Sequence, residues 1–237
     1  MSILFIDIET VPLYESYKDL PDQQKYHWDH KSQFLAKDLL PEDLYQRAGI
    51  YAEFGKVIVV SLAWMSEGDS PHLRVKTLSD QDERKLLVDL YDILVRIDNT
   101  QTLLCGHNIK EFDVPFLCRR MLIQQIPLPN LLDVSSKKPW QTPYVDTLEM
   151  WKFGDRKHYS KLDLLAHVFD LPTSKDDIDG SKVARVYYQD KDLERIATYC
   201  EKDVVLTSHL YRKMKLLPDL TEEQITYVDK VEVSDSR

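Results

Sequence analysis

Cysteine is scarce in this 237-residue chain, with Cys105, Cys118 and Cys200 far apart, odd in number and lacking any CxxC spacing. That pattern argues against a zinc ribbon or a disulfide framework and leaves reduced, buried thiols as the plain reading. Glycine is sparse too, with 6 residues against 11 prolines; at 43% hydrophobic and 30% charged residues the chain is neither fibrous nor disordered. Positive charge is in deficit: 31 Lys+Arg face 40 Asp+Glu, a formal net charge of −9. Proteins that coat long duplexes through phosphates are ordinarily basic, so broad duplex binding is disfavoured. A cleft holding a few nucleotides is not, because local charge governs it. No apolar run approaches the ~20 residues that span a bilayer, so no membrane association is expected. Asp7 interrupts the first apolar run before a secretory core can form, and a cytoplasmic protein is expected.

Ile3 to Ile8 has the apolar, β-branched character of a buried strand. Residues 12–50 are polar and aromatic, punctuated by Pro12, Pro21 and Pro41, and too long for a bare loop, so a helical insertion is expected. Further strands are predicted at Val57–Trp64, Leu73–Leu78, Thr102–Cys105 and Val145–Met150. Helices are predicted over about 81–97, capped by Ser79 and Asp80, and over 113–125, 160–169, 181–188 and 190–215. Residues 126–143 read as loop and 218–237 as a polar, frayed tail, leaving residues 1–217 as a single domain. Three early strands, a strand–helix–strand unit and then helices describe an α/β mixed sheet with helices on both faces.

Three segments carry chemistry. In Phe5-Ile6-Asp7-Ile8-Glu9 the two acids lie two residues apart and so share one face of the strand with Phe5, while Leu4, Ile6 and Ile8 line the other. Neighbouring carboxylates on a buried strand repel each other and lose hydration, and a divalent cation answers both costs. An exposed strand end would answer them as well. The second segment, Gly106-His107-Asn108-Ile109-Lys110-Glu111-Phe112-Asp113, falls where a strand gives way to a helix, and Asp113 is either a helix cap or a third carboxylate. In the third, Tyr199 and Asp203 are four apart on a helix and point the same way.

Taken in order, these segments resemble the DEDD exonuclease superfamily in its tyrosine-bearing branch. Asp7 and Glu9 match the first motif, Asn108-x-x-x-Phe112-Asp113 the second and Tyr199-x-x-x-Asp203 the third. Val114-Pro115-Phe116-Leu117, Val145-Asp146-Thr147 and Ser160-Lys161-Leu162-Asp163-Leu164-Leu165 resemble the proofreading domain of family B DNA polymerases, and the chain as a whole most resembles the stand-alone predicted exonucleases related to that domain. Ala52 to Val57 and Asp179-Gly180-Ser181 fit that stand-alone group too.

The resemblance implies a ribonuclease H-like fold, a five-stranded mixed sheet flanked by helices, and 3′→5′ exonuclease activity. It implies two divalent metal ions, Mg²⁺ or Mn²⁺, with Asp7 bridging them, Glu9 and Asp203 completing the first and Asp113 supporting the second. Tyr199 would orient the attacking water, and Asn108 and Phe112 would contact the substrate. The implied partner is nucleic acid with a free 3′ end, single-stranded DNA favoured over RNA. An exoribonuclease, or a silent nucleic-acid-binding module on the same fold, is the alternative.

Outside the motifs, 137–161 mixes Lys137, Lys138, Lys152, Arg156, Lys157, His158 and Lys161 with Trp140, Tyr144, Trp151, Phe153 and Tyr159. Such a mixture serves either backbone tracking with base stacking or surface lysines above core aromatics. His107 is expected to be a packed, hydrogen-bonded histidine, Asp146 and Asp163 to be structural, and the aromatics of 12–50 to form the core of the insertion. Lys110 and Arg119 are expected on solvated helix faces.

Overall fold

In the computed structural model, which describes residues 2–36, 38–66, 68, 70–97, 102–138, 141–155, 159–172 and 178–228, strand β1 (Ser2–Pro12) lies inside the sheet. Both of its faces are covered, which is why its sequence is nearly continuous apolar residues. Ile3 and Phe5 point into one core with Val204 and Tyr211, whereas Leu4, Ile6 and Ile8 point into the other with Leu86, Leu90 and Leu117. β2 (Gly55–Ser66) pairs antiparallel with β1, and β3 (His72–Ser79) antiparallel with β2. On the other side β4 (Thr102–Gly106) runs parallel to β1, and β5 (Tyr144–Asp146) parallel to β4.

The sheet has six strands rather than the five expected, in the order β5-β4-β1-β2-β3-β6. β6 (Ile225–Tyr227) comes from the stretch read as a polar tail and pairs parallel with Leu73–Val75 of β3. Its alternation is too short to register as a strand, and only an edge already present makes it one.

Helix α3 (Glu83–Ile97) begins one turn beyond the expected cap. The Asp82 carboxylate accepts from the N–H groups of Arg84 at 2.9 Å and Lys85 at 3.3 Å, while Asp80 in turn accepts from the Asp82 N–H. α4 (Asp113–Ile123) follows β4 and packs with α3 on one face of the sheet. The strand expected over Val145–Met150 stops at Asp146 and becomes α5 (Thr147–Lys152), because the Asp146 carboxylate caps the Leu148 N–H at 2.9 Å.

α6 (Leu162–Val168) and the short α7 (Val183–Arg185) lead through a π-helical turn, Val186–Asp190, to α8 (Leu193–Met214). α8 crosses the second face, its Tyr211 ring edge-on to Phe5 at 5.7 Å. The insertion holds α1 (Asp22–Leu35), α2 (Pro41–Leu44) and a 3₁₀ segment, Tyr45–Ile50, around the fully buried Trp28 and Tyr45. Those aromatics form a small core of their own with Leu20, Leu44 and Ala48, as the composition leads one to expect. No helix among the described residues is long and apolar enough to cross a membrane.

Candidate active site

The C-terminal end of β4 lies beside the middle of β1, and Gly106 makes the approach possible: a Cβ there would sit 2.9 Å from the Ile6 carbonyl oxygen. Beyond Gly106 the chain turns sharply, with Asn108 in the left-handed region at φ 65°. Asp146, buried at the tip of β5, holds this turn by accepting from the N–H groups of Asn108 (3.0 Å) and Lys110 (3.2 Å). The Phe112 N–H returns to the Asn108 carbonyl, and α4 then starts at Asp113 with its side chain buried. Asp113 is therefore delivered to β1 beside Ile8 by a loop whose Asn108, Lys110, Glu111 and Phe112 N–H groups are anchored nearby.

On β1 itself, the register with β2 shifts between Glu9 and Thr10, leaving Ile58 as an extra residue on β2. Such bulges re-aim side chains beside functional sites. From the other face α8 supplies Tyr199 and Asp203, one turn apart and both 8% exposed. Ligand oxygens of Asp7, Glu9 and Asp203 all lie within 4.8 Å of one another. The Tyr199 hydroxyl donates to Asp203, and the Cys200 thiol donates to the Asp7 carboxylate at 3.2 Å.

Burial raises the Asp7 carboxyl well above the usual carboxylate range, and Asp203, Asp113 and Glu9 push it the same way, against the thiol hydrogen bond. Glu9 is likewise raised by burial, then by Asp203 and Asp113. Asp113 is raised to about 7, again chiefly by burial and against backbone hydrogen bonds, including one from Ile8. The Tyr199 phenol is raised by burial and by Asp203 and Glu9, so it keeps its proton at neutral pH.

All seven residues singled out in the sequence, Asp7, Glu9, Asn108, Phe112, Asp113, Tyr199 and Asp203, line one open cavity of about 950 Å³. Gln46, Arg47, Gly49 and Ile50 of the insertion also line it, as do Tyr159, Lys161, Asp163 and the 179–181 turn. Asp163, expected to be structural, thus stands on the cavity wall. His107 is hydrogen-bonded through both nitrogens, to Thr147 Oγ1 at 2.9 Å and the Ser160 carbonyl at 2.8 Å, and burial lowers its pKa. That is the packed histidine expected.

The basic and aromatic stretch divides. The buried Tyr144 hydroxyl donates to backbone carbonyls, and Trp151 packs edge-on to Phe169. Tyr159 and Lys161 face the cavity. Trp140, Arg156, Lys157 and His158 lie outside the described residues. Lys110 and Arg119 are exposed and do not line the cavity.

Two contributors were not legible beforehand. Nothing in the spacing marks the Cys200 thiol as the partner of Asp7, because α8 reaches β1 only through tertiary packing. Arg47 reaches the cavity through a long-range bond from the Thr10 hydroxyl to the Gly49 carbonyl, 2.8 Å, which no local pattern encodes.

A mixed sheet of this order, flanked by helices, is an α/β fold of the ribonuclease H-like kind, with carboxylates of its inner strand facing a tyrosine and a carboxylate of α8. Residues 50–234 match the family described as "Predicted 3'-5' exonuclease related to the exonuclease domain of PolB", and the chain belongs to that family. Its activity class is accordingly that of a 3′→5′ exonuclease, the family expected from the motifs. Asp7 and Glu9 precede the matched span. Among solved structures the chain is similar to the family B DNA polymerase from the hyperthermophilic archaeon Pyrobaculum calidifontis, with a TM-score of 0.58 and 17% identity. The similarity covers 91% of this chain and 24% of the polymerase, so this chain spans about a quarter of that protein's length. No curated protein matches.

Proposed function

We propose that this chain removes nucleotides one at a time from the 3′ end of single-stranded DNA, using two divalent metal ions and releasing nucleoside 5′-monophosphates. The observation that carries this reading is the gathering of Asp7, Glu9 and Asp203 oxygens within 4.8 Å, with Asp113 close enough to raise the pKa of the first two. Uncompensated, these carboxylates repel one another and resist ionisation. An all-oxygen anionic set of this kind suits hard cations such as Mg²⁺ and Mn²⁺. When bound, the cations supply charge to neutralise the phosphate and acidity to activate water.

Asp7 stands among the other three acids and would help to hold both ions. Glu9 and Asp203 would hold the first and Asp113 the second. The Tyr199 phenol, protonated at neutral pH, orients the attacking water and does not deprotonate it. Asn108 and Phe112, at the mouth of the second motif, position the terminal nucleotide. DNA is favoured over RNA on the likeness to a DNA polymerase, and a cytoplasmic setting belongs to the same reading. The test is degradation of 5′-labelled single-stranded DNA and matched RNA in Mg²⁺, Mn²⁺ or EDTA. A ladder shortening from the 3′ end, abolished by chelator, is expected. Undiminished activity in EDTA would overturn the metal assignment, and faster loss of the RNA would overturn the sugar preference.

A further inference from the structure

The insertion contributes a wall to the cleft, and that wall has a definite chemistry. A 3₁₀ helix repeats every three residues, so positions three apart share a face. Within Tyr45–Ile50, Tyr45 and Ala48 form the inward stripe and are fully buried. The Tyr45 ring packs edge-on to Trp28 at 5.5 Å between centroids. Arg47 and Ile50 form a second stripe, exposed and lining the cavity above the carboxylates.

The segment is fixed against β1 next to Glu9. The Thr10 hydroxyl donates to the Gly49 carbonyl, and a Cβ on Gly49 would meet Pro12 at 3.2 Å. Its orientation is thus set by contacts on the inward side, leaving the outward stripe free to bind. Among the described residues Arg47 has no hydrogen-bond or ion-pair partner, although it borders a cavity lined by several carboxylates. Arg120 and Arg212, by contrast, are buried and bonded.

We propose that Arg47 and Ile50 form a substrate-binding edge for single-stranded nucleic acid: Arg47 grips a backbone phosphate upstream of the one being cut, and Ile50 supports the adjoining sugar or base. This deepens the exonuclease reading and rests on it. The acidic floor needs cations to accept the scissile phosphate, but the next phosphate along the strand needs a positive group from the protein. A guanidinium is suited to it, offering a planar fork to two phosphate oxygens. The apolar Ile50, 49% exposed, sits where a nucleoside face can cover it. Both residues of the edge come from the insertion between β1 and β2, within the 3₁₀ segment Tyr45–Ile50.

The test is steady-state hydrolysis of a 5′-labelled oligothymidylate in Mn²⁺ over a range of KCl concentrations. Arg47→Gln is expected to raise KM roughly tenfold with kcat within about threefold of wild type, the scale of one lost charge-assisted contact. The dependence of log KM on log salt should flatten by about 0.7, one phosphate contact fewer on a single strand. Arg47→Lys should recover part of the loss, and Ile50→Ala should raise KM while leaving the salt dependence intact. Arg84→Gln, the same charge change on the outer face of α3, serves as control. A wild-type KM and salt slope in Arg47→Gln, or an equal change in Arg84→Gln, overturns the phosphate grip while the nuclease reading stands. Absence of any ladder from the wild-type protein overturns the nuclease reading, and the grip with it.

Discussion

The molecule buries acid in two places and treats it in opposite ways. Glu83, at the start of α3, accepts from the Val57 N–H, Arg120 Nε and Gln124 Nε2, each at 2.8 Å, and also from Arg120 Nη2. Arg120 gives its remaining arm to the Ala52 carbonyl at 2.9 Å. Every charge there has its answer within the chain, and the pair ties α3, α4 and the approach to β2 together. Across β1, Asp7, Glu9, Asp113 and Asp203 face one another, with a thiol, a phenol and backbone N–H groups as protein donors and, among the described residues, no cationic side chain bonded to Asp7, Glu9 or Asp113. Buried acid with a built-in partner is architecture, whereas buried acids facing each other await charge from outside the chain.

Substitutions in the two clusters should therefore separate activity from stability. The largest effect is expected from Asp203→Ala, which should lower kcat by roughly a thousandfold, the scale of losing one preorganised electrostatic group. Its metal-free melting temperature should not fall, because a repelling charge has gone. Glu83→Ala should do the reverse, destabilising the fold by about 3–5 kcal/mol in urea titration, since Arg120 is left buried and unpaired. The folded fraction of that variant should retain its kcat; a loss matching that of Asp203→Ala would erase the distinction.

Tyr199→Phe should cost less than Asp203→Ala, roughly ten- to a hundredfold in kcat, because an orienting hydroxyl contributes less than a ligand. A larger loss would reverse the roles given to the two residues. The smallest effect concerns pH. Asp7, Glu9 and Asp113 have folded pKa values raised above those of the unfolded chain, so the folded state holds more protons. Metal-free stability should then fall as pH rises from about 4, the ordinary carboxylate value, through the Asp113 value of about 7. Mn²⁺ should raise the melting temperature more at pH 8 than at pH 5, and equal shifts at both would contradict the linkage.

The inner strand and the motif residues were readable because their signals are local. Two-residue alternation set the faces of β1, four-residue spacing aligned Tyr199 with Asp203, and a strand-to-helix junction marked Asp113. What escaped depends on tertiary context. Asp146 ends its strand early because its carboxylate finds four N–H groups from two segments, and Asp80 yields the α3 cap to Asp82 through competing turn bonds. The Arg47 wall needs Trp28 and Tyr45 to pack first, and β6 needs the rim of β3 to exist.

That last strand has a consequence for handling the protein. By pairing with Leu73–Val75, residues 225–227 cover backbone groups that would otherwise offer a ready template to any other extended chain. Shortening the polypeptide before them would spare the cleft and yet expose a sticky margin, favouring self-association.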